Sequence, residues 1–190
     1  MIRALTLAGL IAVGLHVAPP TKAEPLPFDV GGAFELVDQY GASRSQVDPD
    51  GHAQLLFFGY ANCPGICSAA MPMMADVTDL VALQGLKISP VMITIDPDRD
   101  VVGTLGKPMA RLHDKFIGLT GSDTALAQAY QAYSVEKQLA FVDPETGPVY
   151  SHGSFVYLLD DQGEVLTLLP PVLDAQRVAT IILGYIQPKE

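Results

Sequence analysis

Two stretches of this chain, AQLLFF at residues 53–58 and KISPVMITID at residues 87–96, are apolar almost without interruption. A strand with one face in water alternates polar and apolar residues, so runs like these read as central strands buried on both faces. Between them, SAAMPMMADVTDLVALQG puts Met74, Val77, Leu80 and Val81 at helical spacing and ends at Gly85, a natural stop. Pro72 implies an irregular first turn or a regular helix that begins close by.

The rest of the chain extends the same alternation. Residues 24–33, EPLPFDVGGA, look like an extended lead-in, FELVDQYG like a short strand and a turn, and DPDG at 48–51 like a second turn. After a broken helical pattern over 101–116 comes IGLTG, short and β-like. SDTALAQAYQAYSV then starts at an N-cap, Ser122 or Asp123, and carries Leu126, Ala129, Tyr130 and Tyr133 on one face. EKQLAFVDPETGPVY reads as irregular chain or a hairpin, SFVYLLDDQGEVLTLLP as strand, turn and strand, and DAQRVATIILGYIQ as a closing amphipathic helix. This order predicts an α/β fold in one domain, a thioredoxin-like mixed sheet with helices on both faces.

The first 23 residues have the make-up of a secretory signal peptide: Arg3, the apolar run ALTLAGLIAVGLHV, and TKA before Glu24. The run is shorter than the roughly 20 residues that span a bilayer, so a stable transmembrane anchor is the weaker reading. The expected mature chain, residues 24–190, is exported, and periplasmic if the source is a bacterium. The 190 residues carry 21 acidic and 11 basic side chains, a formal charge of −10, and Arg3 and Lys22 leave with the signal peptide. A surface of that sign repels phosphate backbones, which excludes nucleic acid as a partner class.

The only two cysteines, Cys63 and Cys67, stand in CPGIC directly after the first buried strand. A bridge between them would close a loop of three residues and add little stability, so the sulfurs are expected to act chemically. At the mouth of a strand-to-helix turn, backbone N–H groups and the helix dipole favour thiolates, which serve either redox exchange or metal capture. Redox motifs of thioredoxin type have two residues between the cysteines, not three, and the later segment SHGSFVYL has His152 where such enzymes carry a proline. Two thiolates with an imidazole form a soft donor set that suits copper better than calcium or magnesium, and three ligands are fewer than structural zinc takes.

Other candidates rank lower. His52 and His113 read as ordinary surface or core histidines, and Met71, Met73 and Met74 as helix packing. Asp96, Asp98 and Asp100 in DPDRD read as a turn whose ion pair involves Arg99, with a role in shaping the site as the lesser alternative.

In order along the chain, GGAFELVDQYG, LLFFGYANCPGIC, ITIDPDRD, LTGS and SHGSFVYLLDDQG resemble the Sco/SenC family of copper-binding proteins. The resemblance implies a thioredoxin-like fold with an inserted β-hairpin, and copper, as Cu(I) and also Cu(II), held by Cys63, Cys67 and His152. It implies a metallochaperone that delivers copper to cytochrome c oxidase subunit II, or reduces the recipient's cysteines, helped by a thiol reductant the sequence does not name. The competing expectation is a thiol–disulfide oxidoreductase that uses Cys63 and Cys67 as a redox-active pair without copper, and a peroxidase is a distant third. The family commonly has proline, an acidic residue and Asp where this chain has Ser68, Gly65 and Ser151.

Overall fold

The computed structural model describes residues 26–186 apart from 64 and 66, so the expected signal peptide lies outside the described residues. The two apolar runs form β3 (Ala53–Gly59) and β4 (Ile88–Thr94), parallel partners buried along their whole length, with Leu55 opposite Pro90 and Phe57 opposite Met92. Before them lie β1 (Leu36–Asp38) and the two-residue β2 (Ser43–Arg44). Burying side chains of the size of Leu55, Leu56, Phe57 and Phe58, each at most 1% exposed, stabilises by about 1.5–3 kcal/mol apiece and makes this pair the centre of the core.

Helix α1 (Cys67–Ala82) makes the crossover from β3 to β4. It starts at the second cysteine and keeps Pro72 inside, so of the two expectations the regular helix that begins close by is the one observed. Pro72 is exposed, as is Ser68, whose carbonyl the proline leaves without a helical partner, so water can satisfy it. Gly85, at φ +80°, ends the helix as expected, and Leu86 N–H donates back to the Val81 carbonyl at 3.1 Å.

The remaining elements are α2 (Gly106–Leu112), β5 (Ile117–Thr120), α3 (Asp123–Ala132), β6 (Lys137–Asp143), β7 (Gly147–His152), β8 (Val156–Leu159), β9 (Val165–Leu169) and α4 (Ala175–Tyr185). Seven strands form one mixed sheet in the order β2-β1-β5-β4-β3-β8-β9, with β3 parallel to β4 and antiparallel to β8. The N-cap of α3 is Ser122, whose hydroxyl accepts the Ala125 N–H at 3.3 Å; the flanking Asp123 is already helical. Alternation along β3 separates the two faces. Gly59 lies against Cys67 of α1, while Phe58 packs its ring on Tyr130 and Tyr133 at the end of α3.

The segment that read as irregular chain or hairpin is a hairpin, β6 with β7, and forms a separate two-stranded sheet inserted between α3 and β8. It runs two residues further than the sequence pattern suggests, so that His152 is the last residue of β7, opposite Lys137. No helix among the described residues is long and apolar enough to cross a membrane.

Candidate metal centre

Strand β3 ends at Gly59, and a turn that includes Tyr60 and Cys63 leads to α1, which starts at Cys67. Cys63 is half-buried in that turn, and Cys67, the first residue of α1, is fully buried beneath it. Gly59 makes the close approach possible: a Cβ there would stand 2.7 Å from Phe57 Cε1 and 3.1 Å from Cys67 Sγ. Ser68 closes the turn by donating its backbone N–H at 3.1 Å and its hydroxyl at 2.7 Å to the Gly65 carbonyl. A proline at this position could make neither bond.

The hairpin brings His152 to the sulfurs. Its Nε2 lies 3.7 Å from Cys67 Sγ, and one donor atom from each of Cys63, Cys67 and His152 falls within 4.8 Å of the other two. On the opposite edge of the ring, Nδ1–H donates to the Gly153 carbonyl at 2.7 Å, so Nε2 is the ring nitrogen that faces the sulfurs. The ring also packs edge-on against Phe57 and Tyr60, at 5.9 and 6.3 Å between centroids.

The two thiols differ although both lie at the start of α1. A hydrogen bond from Cys67 lowers the Cys63 pKa to about 4 against the opposing effect of burial, with His152 adding to the lowering. Cys67 is pushed up, first by that same hydrogen bond and then by burial. Of the two thiolates expected here, Cys63 is favoured and Cys67 is not, and the leading cause is the proton shared between the sulfurs, which settles on the more buried one, with the backbone N–H groups of Cys67 and Gly65 contributing less. Tyr60, pushed up to about 12 by burial and by the Cys63 sulfur nearby, keeps its proton; its oxygen accepts the Tyr150 N–H at 3.3 Å.

Other expectations can be placed as well. Met71, Met73 and Met74 are buried core residues. His113 faces Asp79 at 3.2 Å, far along the chain from the sulfurs. His52 joins Asp48 and Asp50 in a second group of possible donors, but the Asp48 carboxylate there already accepts the backbone N–H groups of Asp50 and His52 and so builds the turn. Arg99 pairs with Asp96 as expected for DPDRD. Tyr60 packs edge-on against His152 and Tyr150, and Lys137 stands opposite His152 in the hairpin; lone tyrosines and lysines carry no sequence spacing that announces such a role.

Two sulfurs and an imidazole nitrogen, one thiolate already formed, at the mouth of a β–α turn beside an inserted hairpin define a thioredoxin-like protein with a soft-metal or thiol-redox centre. Residues 22–187 match the SCO1/SenC family, and the chain belongs to it. A SCO2-like protein of Rickettsia felis is 33% identical over 170 residues, covering 84% of this chain and 83% of its own. Yeast Sco1, solved with copper bound, superposes with a TM-score of 0.74 at 26% identity over 85% of this chain and 91% of that one. BsSco, a member of the Sco family of cytochrome c oxidase assembly proteins in which a disulfide switch was identified, shares the fold at a TM-score of 0.66 and 21% identity, covering 89% of this chain and all of that one.

Proposed function

We propose that this chain is an exported copper-binding protein that holds copper on Cys63, Cys67 and His152, and delivers it to, or prepares the cysteines of, the copper centre of cytochrome c oxidase or another copper enzyme. One observation carries the reading: three soft or borderline donors, from the cysteine turn and from a hairpin 85 residues further on, converge within 4.8 Å. The copper-bound yeast relative and the assembly role of BsSco's family support it.

Each ligand has a distinct part. Cys63 offers a ready thiolate, and His152 Nε2 is aimed at the sulfurs by the Nδ1–H bond to Gly153. Cys67 gives up the shared proton when metal enters, so uptake releases acid and ties the cysteine turn to the hairpin. Copper bound there supplies a thiolate-ligated ion that a recipient's sulfurs can take over by ligand exchange.

The test is metal analysis of the reduced protein beside His152→Ala, Cys63→Ser and Cys67→Ser. Wild type should hold one copper per chain, and each variant should lose it or bind it far more weakly; an unchanged affinity for both Cu(I) and Cu(II) in His152→Ala would overturn the three-ligand reading. The oxidoreductase reading rests on the reactive Cys63 thiolate beside a free Cys67. It expects Cys67→Ser to trap a mixed disulfide with a partner, and His152→Ala to keep full activity.

A further inference from the structure

We infer that the turn at residues 96–100 is the positioning device of the metal centre, and that Arg99 is the positioning residue through which it holds His152. The inference rests on Cys63, Cys67 and His152 being the ligands and adds what sets the distance between them. The hairpin that carries His152 shares no strand pairing with the seven-stranded sheet, and β6 is exposed along nearly its whole length. Ladder hydrogen bonds therefore do not fix where the imidazole falls.

Arg99 supplies that connection. Its Nη1 donates to the Thr146 carbonyl at 2.6 Å and its Nη2 to the Pro148 carbonyl at 2.8 Å, both in the hairpin. Its Nε donates to the carboxylate of Asp96, which is buried, and Asp96 is itself anchored by its N–H on Thr94 Oγ1 at 2.9 Å. The guanidinium lies 5.6 Å from the centroid of Tyr60, the ring that touches both Tyr150 and His152. Space is reserved for it, since a Cβ on Gly147 would come within 2.9 Å of Nη1. At the base of the hairpin, Lys137, paired in register with His152, donates its ammonium to the Ile95 carbonyl at 2.9 Å.

The other end of the same turn grips the cysteine segment. Asp100 accepts the Ala61 N–H at 3.0 Å and the Thr94 hydroxyl at 2.7 Å. The turn is thus bonded to both sources of ligands, through Arg99 to the hairpin and through Asp100 to the cysteine segment, and a planar fork with donors in three directions does what a lysine ammonium at that position could do only in part. The separation of imidazole and sulfurs is set by this turn.

The test uses the full reduced chain with Arg99→Met, which keeps an apolar stem, and Arg99→Lys, which keeps the charge. In the metal-free protein, Arg99→Met should speed amide exchange across residues 137–152 and leave β3 and β4 unchanged. Its Cu(I) affinity, read by competition with a chelator, should fall about 10–100-fold, the usual effect of losing a partner behind a ligand, with Arg99→Lys in between. In a His152→Ala background the same substitution should cost less than about 2-fold, because a residue that acts only through His152 has nothing left to position. Equal losses in both backgrounds, or unchanged exchange in the hairpin, would overturn the proposal. A wild-type chain that takes no copper would end the proposed function instead, and the exchange comparison would still decide the role of Arg99. If Arg99→Met does not fold, Arg99→Lys carries both comparisons.

Discussion

His152 Nε2 lies 3.7 Å from Cys67 Sγ although 85 residues separate them in the chain. Nothing local brings them together: one residue opens a helix, the other ends a hairpin strand, and the two segments are joined by the turn after β4 and by the Tyr150 N–H bond to Tyr60. Copper affinity should therefore respond to changes at the sulfurs, at the imidazole and in the packing that sets their spacing.

Oxidation should abolish binding. Joining Cys63 and Cys67, both free thiols in the structure, removes two of three donors and both ionisable sulfurs. Protein treated with a thiol oxidant is expected to compete no longer with a Cu(I) chelator and to recover when reduced. Retention of one equivalent of tightly held Cu(I) in the oxidised chain would show that the sulfurs are not the ligands.

The two thiols should label unequally. The Cys63 pKa is lowered to about 4, so its thiolate is present at neutral pH and its alkylation rate should fall only as pH drops through that value. Cys67, pushed up and fully buried, should stay unlabelled in the native metal-free protein. In Cys67→Ala the largest cause of the lowering is gone, and the pH at which Cys63 reacts half-maximally should move upward. Mass spectrometry of singly alkylated protein checks the site, and preferential labelling of Cys67 would contradict the assignment.

Gly59→Ala tests the close packing behind the cysteines. The added methyl would meet Phe57 Cε1 at 2.7 Å and Cys67 Sγ at 3.1 Å, and Phe57 is fully buried with no room to yield. Overpacking of this kind costs about 1–3 kcal/mol, to be read from denaturant unfolding of the metal-free chain. Displacement of the sulfur should weaken Cu(I) binding as well, whereas an alanine variant with unaltered stability and affinity would show that the strand and helix adjust freely.

Asp38 should contribute to acid sensitivity at the far edge of the sheet. Burial by itself would raise its pKa, but the N–H groups of Tyr40 and Ala42, at 2.9 and 3.0 Å, and the Arg44 guanidinium at 3.0 Å hold it below the ordinary value of 3.8. A carboxylate with a lowered folded pKa stabilises above its unfolded pKa, and that stability is lost as pH falls through the folded value. Asp38→Asn is expected to cost about 1.5–3 kcal/mol at neutral pH, the range for hydrogen bonds to a charged group, and to converge on wild type below pH 3.8. Unfolding curves at several pH values decide it: a constant gap would assign the effect to shape and not to charge.

How much of this could be read from the chain alone follows from the range of the interactions involved. The pattern of 53–58 and 87–96 is local, and a strand with no polar face must be central, so β3, α1 and β4 were legible, as was the Gly85 stop. The cysteine pair was legible because only three residues separate its members and a buried strand precedes it. Pro72 left two ways for α1 to start, and the choice between them was not legible, since its exposed position lets water take the freed carbonyl, a circumstance that sequence spacing does not carry.

Residue order alone carries an inventory: a central buried sheet pair, two sulfurs at the mouth of a β–α turn, and one histidine late in the chain. Tertiary structure alone decided that the hairpin reaches His152, that one shared proton makes Cys63 a thiolate and leaves Cys67 a thiol, and that Arg99 joins the turn after β4 to the hairpin. Short-range patterning is written in neighbouring residues, whereas ligand distances and shared protons depend on groups tens of residues apart that meet only when the chain closes on itself.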